Sequence, residues 1–161
     1  MERLNLPPIS VRIREGSKGN QLIFDEFRHK FVKLTPEEWV RQHFLHLMTR
    51  HLGYPASLIV VEASLIYNGM KKRFDLLAYN ADGKPVAVVE CKAPSIEITQ
   101  RVFDQVAMYN KTLGVAYVMV TNGINHYACH IDHSGKTFKF LPEIPRYEEI
   151  AGDTVSLAKP G

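Results

Sequence analysis

Two carboxylates and a lysine stand where strand periodicity would bring them onto one surface. Lys72–Tyr79 and Pro85–Cys91 read as β-strands, joined through Ala81-Asp82-Gly83-Lys84. Asp-Gly between two apolar runs predicts a hairpin with a two-residue type I′ turn. Counting outward from that turn sets Asp75 opposite Glu90, with Cβ atoms ~4.5–5.5 Å apart. Like charges so placed destabilise a sheet and favour a proton or a cation between them. Lys92 lies two residues beyond Glu90 and projects from the same face. Oxygen ligands of this kind suit Mg²⁺, which commonly uses one or two carboxylates together with substrate phosphates. The plain alternative is a surface ladder of mixed charges, worth little to stability. The strand setting of the Glu-x-Lys triplet, the facing aspartate and the helix that follows favour the metal site.

The elements that would position these residues are legible in outline. Ile9, Val11 and Ile13 alternate with polar residues at strand period, and Gln21–Phe24 and Lys30–Lys33 extend a small sheet. Thr35 is a helix N-cap, Pro36 suits the first helical position, and Glu38 completes a capping box. Val40, Phe44, Leu47 and Met48 follow at helical spacing until Gly53 and Pro55. Leu58–Ile66 is rich in β-branched residues and reads as a strand. A second helix covers about Thr99–Leu113, with Val102, Val106, Tyr109 and Leu113 on one face. Val115–Val120, Tyr127–Ile131 and Thr137–Leu141 close the chain as strands, and the stretch from Pro142 reads as a polar, loosely tied tail. The expected organisation is residues 1–33 as N-terminal strands packed on the core, 34–141 as the core and 142–161 as the tail, one mixed α/β domain.

These residues resemble the Asp…Glu-x-Lys core of the PD-(D/E)XK nuclease superfamily, through Arg73-Phe74-Asp75 and Val88-Val89-Glu90-Cys91-Lys92-Ala93-Pro94. More narrowly, the chain resembles the N-terminal nuclease domain of type I restriction enzyme R subunits, in a short stand-alone form. Leu34-Thr35-Pro36-Glu37-Glu38-Trp39-Val40-Arg41-Gln42, the Gln105-x-x-x-Tyr109 helix and Val120-Thr121-Asn122-Gly123 carry that likeness, over roughly residues 34–132. Phe74 departs from it, standing where the superfamily signature names proline, and no ATPase motor is encoded. The resemblance implies a restriction-endonuclease-like core, a central mixed sheet flanked by helices, and Mg²⁺-dependent phosphodiester cleavage with Mn²⁺ able to substitute. Asp75, Glu90 and the backbone carbonyl of Cys91 would hold the metal. Lys92 would orient the attacking water and stabilise charge on the phosphate; beside two carboxylates it stays protonated, which favours charge stabilisation over general-base action.

The family's additional acid falls on the first helix. Glu37 precedes Val40 by three and Phe44 by seven, so it shares their stripe and is preferred to Glu38, which has its capping role. Gln105 would sit near the site and position the lysine or phosphate; Tyr109, one turn on, either shares that site or packs in the core with its hydroxyl at the rim. Glu62 either borders the site or faces water. Lys71, Lys72, Arg73 and Lys84 are candidate phosphate contacts, with a solvated charge cluster as the plain alternative.

Other motifs carry less. Gly135-Lys136-Thr137 mimics the end of a P-loop, but His130 stands where the earlier glycine is required. His126, Cys129, His130 and His133 lie on a strand-like stretch whose alternate residues face opposite ways, against zinc. His43, His46 and His51 lack the matched i, i+4 spacing with an intervening glutamate. Cys91 points away from the carboxylate face without a histidine partner, against thiol chemistry.

Composition bounds the rest. The 161 residues are 45% hydrophobic and 23% charged, ordinary for one globular domain with a core that needs no disulfide staple. No apolar run approaches the ~20 residues of a membrane span. Two cysteines and an opening Met1–Pro8 without an apolar signal core give the expectation of a cytosolic protein with reduced thiols. Twenty basic against seventeen acidic residues, net +3, tolerate a polyanionic partner without demanding one. The expected function is a Mg²⁺-dependent DNA endonuclease domain of the restriction type, with DNA as partner and restriction-modification subunits as candidate further partners. The rival is a catalytically silent binding module of the same fold.

Overall fold

A computed structural model describes residues 1–67, 69–111, 114–132 and 137–153, without the side chains of Leu65, Tyr67, Tyr109, Asn110 and Lys111. Its centre is a six-stranded sheet of β4 (Ile59–Tyr67), β5 (Met70–Tyr79), β6 (Pro85–Cys91), β7 (Tyr117–Thr121), β8 (His126–Asp132) and β9 (Thr137–Phe140), ordered as in the chain. All neighbours are antiparallel except β6 and β7, which run parallel because α2 (Gln100–Lys111) crosses between them. Separately, β1 (Ile13–Glu15), β2 (Gln21–Asp25) and β3 (Lys30–Lys33) form a three-stranded antiparallel sheet. The mixed sheet with helices on both faces is the α/β class expected.

Alternation along the central strands feeds two apolar layers. Leu76, Ala78, Ala87, Val89, Tyr117 and Met119 pack with Val40, Phe44, Leu45 and Met48 from α1 (Pro36–His46) and the turn after it. Leu77, Val88, Val118 and Val120 pack with Phe103, Val106 and Ala107 of α2. The buried stripe of α2 therefore starts at Phe103 rather than at the half-buried Val102, and Leu113 lies outside the described residues. The start of α1 follows its sequence signal: Thr35 Oγ1 accepts the Glu38 N–H at 3.0 Å with Pro36 in the first turn. Its last turn widens into a π-helical segment, Leu47–His51, before Gly53 turns the chain at φ +78°.

The hairpin between β5 and β6 differs from the two-residue turn expected. Asn80 and Lys84 pair across a three-residue loop, the Asn80 N–H donating to Lys84 O and the Gly83 N–H to Asn80 O. The Asn80 side chain accepts from the Asp82 and Lys84 N–H groups, and Gly83 takes φ +76°. Such a loop alone would shift the strands by one residue. A bulge at Val86 shifts them back: Tyr79 faces Pro85, but Ala78 faces Ala87, Leu77 faces Val88 and Leu76 faces Val89. Continued by one pair, this register sets Asp75 against Glu90.

The stretch after Pro142 is not a loose tail as far as it is described. Tyr54 Oη donates to Pro145 O, the Tyr147 N–H donates to Leu52 O, and Tyr147 Oη reaches Tyr79 O. A short helix, α3 (Tyr147–Ile150), buries Ile150, and Tyr117 Oη donates to Asp153. Ile144, Tyr147 and Ile150 explain the difference, since all three pack on the core and the tyrosine adds a polar tip bonded to a backbone acceptor. Residues 154–161 lie outside the described residues.

Candidate metal centre at the end of β5 and β6

Backbone pairing between β5 and β6 runs as far as Leu76 and Val89, and beyond it the Cys91 N–H is taken by Asp75 Oδ2 at 2.7 Å. One aspartate oxygen is thereby fixed on the β6 backbone. Glu90 follows Val88 on the α2 side of the sheet, and Lys92 Nζ lies 3.6 Å from Glu90 Oε1. The Lys92 N–H donates to Thr121 O at 2.8 Å, so the β6–β7 ladder carries the lysine to its position. Glu90 and Lys92 open onto a cleft of about 340 Å³ whose other walls are Arg73, Val102, Gln105 and Val106. The Tyr109 side chain falls outside the described residues.

Electrostatics make this pair unlike a solvated salt-bridge ladder. Burial pushes Glu90 up to about 7 from its ordinary 4.5, with the Asp75 charge adding to the rise and Lys92 opposing it. Burial also raises Asp75, against the Cys91 N–H bond and the charge of Arg41, which lower it. Both carboxyls thus hold a proton more readily than in water, the condition in which a divalent cation relieves most repulsion. The donor set fits Mg²⁺: two desolvated carboxylates with room beside them for phosphate oxygens. Among the described residues no group of three or more His, Cys, Asp or Glu side chains is gathered as a metal cage. Burial and the neighbouring carboxylates push the Cys91 thiol far up, so it is a packed sulfur rather than a nucleophile.

The acids of α1 part company. Glu37 is exposed on the first turn rather than turned in with Val40 and Phe44, and its charge contributes to raising both Asp75 and Glu90. Glu38 is buried, and its carboxylate does not close a capping box. It pairs instead with Arg41, accepts from Arg28 Nη2 at 3.0 Å and accepts from Gln42 Nε2 at 3.0 Å. Arg28 is also paired with Asp25. Glu62 joins the same cluster, receiving Arg28 Nη1 at 2.8 Å and Arg41 Nη1 at 2.6 Å. It does so at φ +52°, at the one position between the pairs Val61–Leu76 and Ala63–Phe74 where no backbone pair forms. That position faces Asp75.

Arg28 and Arg41 are the residues the motif reading missed. Glu38 and Arg41 at i, i+3 are a visible signal; Arg28 and Glu62 are brought in by tertiary structure. Among the proposed phosphate contacts, Lys71, Arg73 and Lys84 are exposed, whereas Lys72 is buried and is withdrawn from that set. His126 is bonded on both ring nitrogens, to Thr121 Oγ1 at 2.7 Å and Asn5 O at 2.9 Å.

Residues 36–145 match the family model described as type I restriction enzyme R protein N terminus (HSDR_N). Among solved structures, a fragment assigned to the HsdR subunit of a type I restriction enzyme from Vibrio vulnificus YJ016 shares the fold with a TM-score of 0.52. The two are 22% identical over 73% of this chain, which spans 24% of that one. No curated protein matches. No helix among the described residues is long and apolar enough to cross a membrane.

Proposed function

Because the chain belongs to the type I restriction enzyme R protein N-terminal family, we propose that it is a Mg²⁺-dependent DNA endonuclease domain of the PD-(D/E)XK type. Its partners are then DNA and the other restriction-modification subunits, and Mn²⁺ substitutes for Mg²⁺. Asp75, Glu90 and the Cys91 carbonyl hold the metal. The observation that carries this reading is the desolvated Asp75–Glu90 pair with Lys92 beside it at the mouth of a cleft. A bare binding surface for phosphate has no use for two half-buried acids, because each repels the ligand.

When bound, the metal lowers the pKa of a coordinated water and screens the phosphate. The chain's own side chains divide the remaining work. Glu90 holds the Lys92 ammonium toward the cleft, where it meets negative charge that grows on the phosphate during cleavage. Gln105 offers a neutral amide from the α2 wall to position the phosphate or the lysine. Glu37 adds a third carboxylate from the solvent side, free of the ion pairs that occupy Glu38.

The test is nicking of supercoiled plasmid with Mg²⁺ or Mn²⁺. The intact chain converts plasmid to open circles, and Lys92→Ala or Glu90→Ala does not. DNA binding without nicking by the intact chain would return the protein to the silent-module reading.

A further inference from the structure

The three-stranded sheet has two unlike faces. Alternation along its ladders puts Ile13, Ile23 and Val32 in one row, and Ile23 is fully buried there. On the opposite face, one row is Arg14, Leu22 and Lys33, and the next is Arg12, Phe24 and Phe31. Arg12, Arg14 and Lys33 are exposed, and the two phenylalanines are half-buried. Glu15 and Asp25, the acids of these strands, both belong to the Ile23 face. The outward face therefore carries three cations and no counter-charge of its own.

Its arginines are also organised. The Arg12 guanidinium lies 3.9 Å from the centre of the Phe24 ring, and the Arg14 guanidinium 4.0 Å from that of Phe31. The two rings meet edge to face at 5.2 Å. Stacking fixes a guanidinium plane while leaving its N–H edge free, and that planar fork matches the oxygens of a phosphodiester. Less side-chain freedom then remains to be given up when an anion binds.

We propose that this face is a second DNA-contacting surface, gripping the phosphodiester backbone away from the Glu90–Lys92 cleft. The inference rests on the nuclease reading only in taking DNA as the polyanion. Its coupling to the cleft is structural. Arg28, paired with Asp25 of β2, bonds both Glu38 on α1 and Glu62 on β4, and Glu62 stands across from Asp75. DNA lying on the small sheet is thereby held in a fixed relation to the strand that carries the metal ligand. Contacts to phosphate position a duplex without reading its sequence.

The experiment is anisotropy of a labelled duplex of about 30 base pairs, titrated with the whole chain in Ca²⁺ between roughly 50 and 200 mM salt. Arg12→Gln with Arg14→Gln is expected to weaken binding ~10-fold and flatten the salt dependence by about 1.8 in log–log slope, about 0.9 for each phosphate no longer neutralised. Arg12→Lys with Arg14→Lys retains the slope but binds a few-fold less tightly, since lysine lacks the stacked fork. Both residues are exposed, and melting curves confirm that the variants fold. Unchanged affinity and slope in the glutamine variant would overturn the proposal and leave the face to an acidic protein partner. No binding by the intact chain would overturn it too. Plasmid nicking in Mn²⁺ separates the two readings. Nicking with unaltered variant binding removes only this surface, whereas loss of slope in a chain that never nicks removes only the nuclease.

Discussion

The Cys91 N–H donates to Asp75 Oδ2 over 2.7 Å where the backbone ladder of β5 and β6 has ended. A side chain here replaces a strand partner, so the aspartate is aimed by the sheet itself rather than by neighbouring side chains. The bond opposes the effect of burial on Asp75 and leaves its other oxygen for a ligand. For Glu90 the leading influences are burial and Asp75, which raise it, and Lys92, which opposes them. The two acids of the pair are therefore unequal, and Glu90 is the one whose charge depends most on what else enters the cleft.

Metal binding should stabilise the fold. For a site of millimolar affinity, ~10 mM Mg²⁺ adds about 1.4 kcal/mol by mass action. Asp75→Asn should remove most of that stabilisation while leaving a folded protein. Thermal melts across a Mg²⁺ and Mn²⁺ series check this; identical responses in the two proteins would mean that Asp75 is not a ligand.

Without metal, stability should fall as pH rises between about 4.5 and 7. Glu90 has its folded pKa raised to about 7 from 4.5, so within that window the folded chain holds a proton that the unfolded chain has released. The loss is on the order of 2 kcal/mol or less and is complete above pH ~7. His43, His46 and His126 have pKa values lowered by burial and give the opposite slope near and below neutrality. The quantity to measure is therefore the difference between the intact chain and Glu90→Gln, by denaturant titration from pH 4.5 to 8. Parallel curves would mean that Glu90 is not desolvated. Saturating Mg²⁺ should abolish the fall of the intact chain's stability with pH, because the cation competes with the proton on Glu90.

Glu37 and Glu38 should separate function from stability. Glu38 is 3% exposed and holds Arg28, Arg41 and Gln42, so Glu38→Ala takes a buried carboxylate from two arginines, leaves them to Asp25 and Glu62, and costs about 3 kcal/mol. Glu37→Ala removes an exposed first-turn acid and should change stability by under ~1 kcal/mol. Its expected effect is on nicking, at least ~10-fold, through weaker support of the metal. Urea melts and plasmid assays on both variants decide it, and the reverse pattern would make Glu38 the acid of the site.

How much of this is legible in the sequence depends on how local each cause is. The facing of Asp75 and Glu90 follows from counting out of the Asp82-Gly83 turn, yet two irregularities cancel to give it. The three-residue loop moves the register one way, and the bulge at Val86 moves it back. Neither leaves a clear trace in residue type, because Asn80 builds the loop with its side chain and Val86 is simply apolar and buried. The Glu38 capping box is half right: Thr35 caps the helix, but the Glu38 carboxylate turns to two arginines, Arg41 one turn along the same helix and Arg28 from outside it. One of these, Arg28, is ten residues back along the chain. Glu62, left open by strand alternation, is decided by a left-handed backbone that no β-branched pattern announces.

Lys92 should matter for cleavage far more than for folding or binding. It sits two residues past Glu90, 3.6 Å from that carboxylate, and both side chains remain about three-tenths exposed. An ion pair so placed contributes under ~1 kcal/mol to stability, so Lys92→Ala should melt close to the intact chain. Its main-chain bond to Thr121 O survives the substitution and keeps the end of β6 in place. Metal binding should persist through Asp75 and Glu90, and should tighten slightly at the proton's expense, since the cation replaces the missing ammonium. The ammonium's attraction grows as charge develops on the phosphate, so its removal lowers turnover more than affinity. The expected loss is on the order of 10²–10³ in nicking rate, the scale seen when one such electrostatic interaction is deleted. Plasmid nicking in saturating Mn²⁺, set beside DNA affinity in Ca²⁺, separates the two quantities. Equal nicking by Lys92→Ala would remove the lysine from the chemical step, and a parallel loss of affinity and rate would recast it as a phosphate-binding residue.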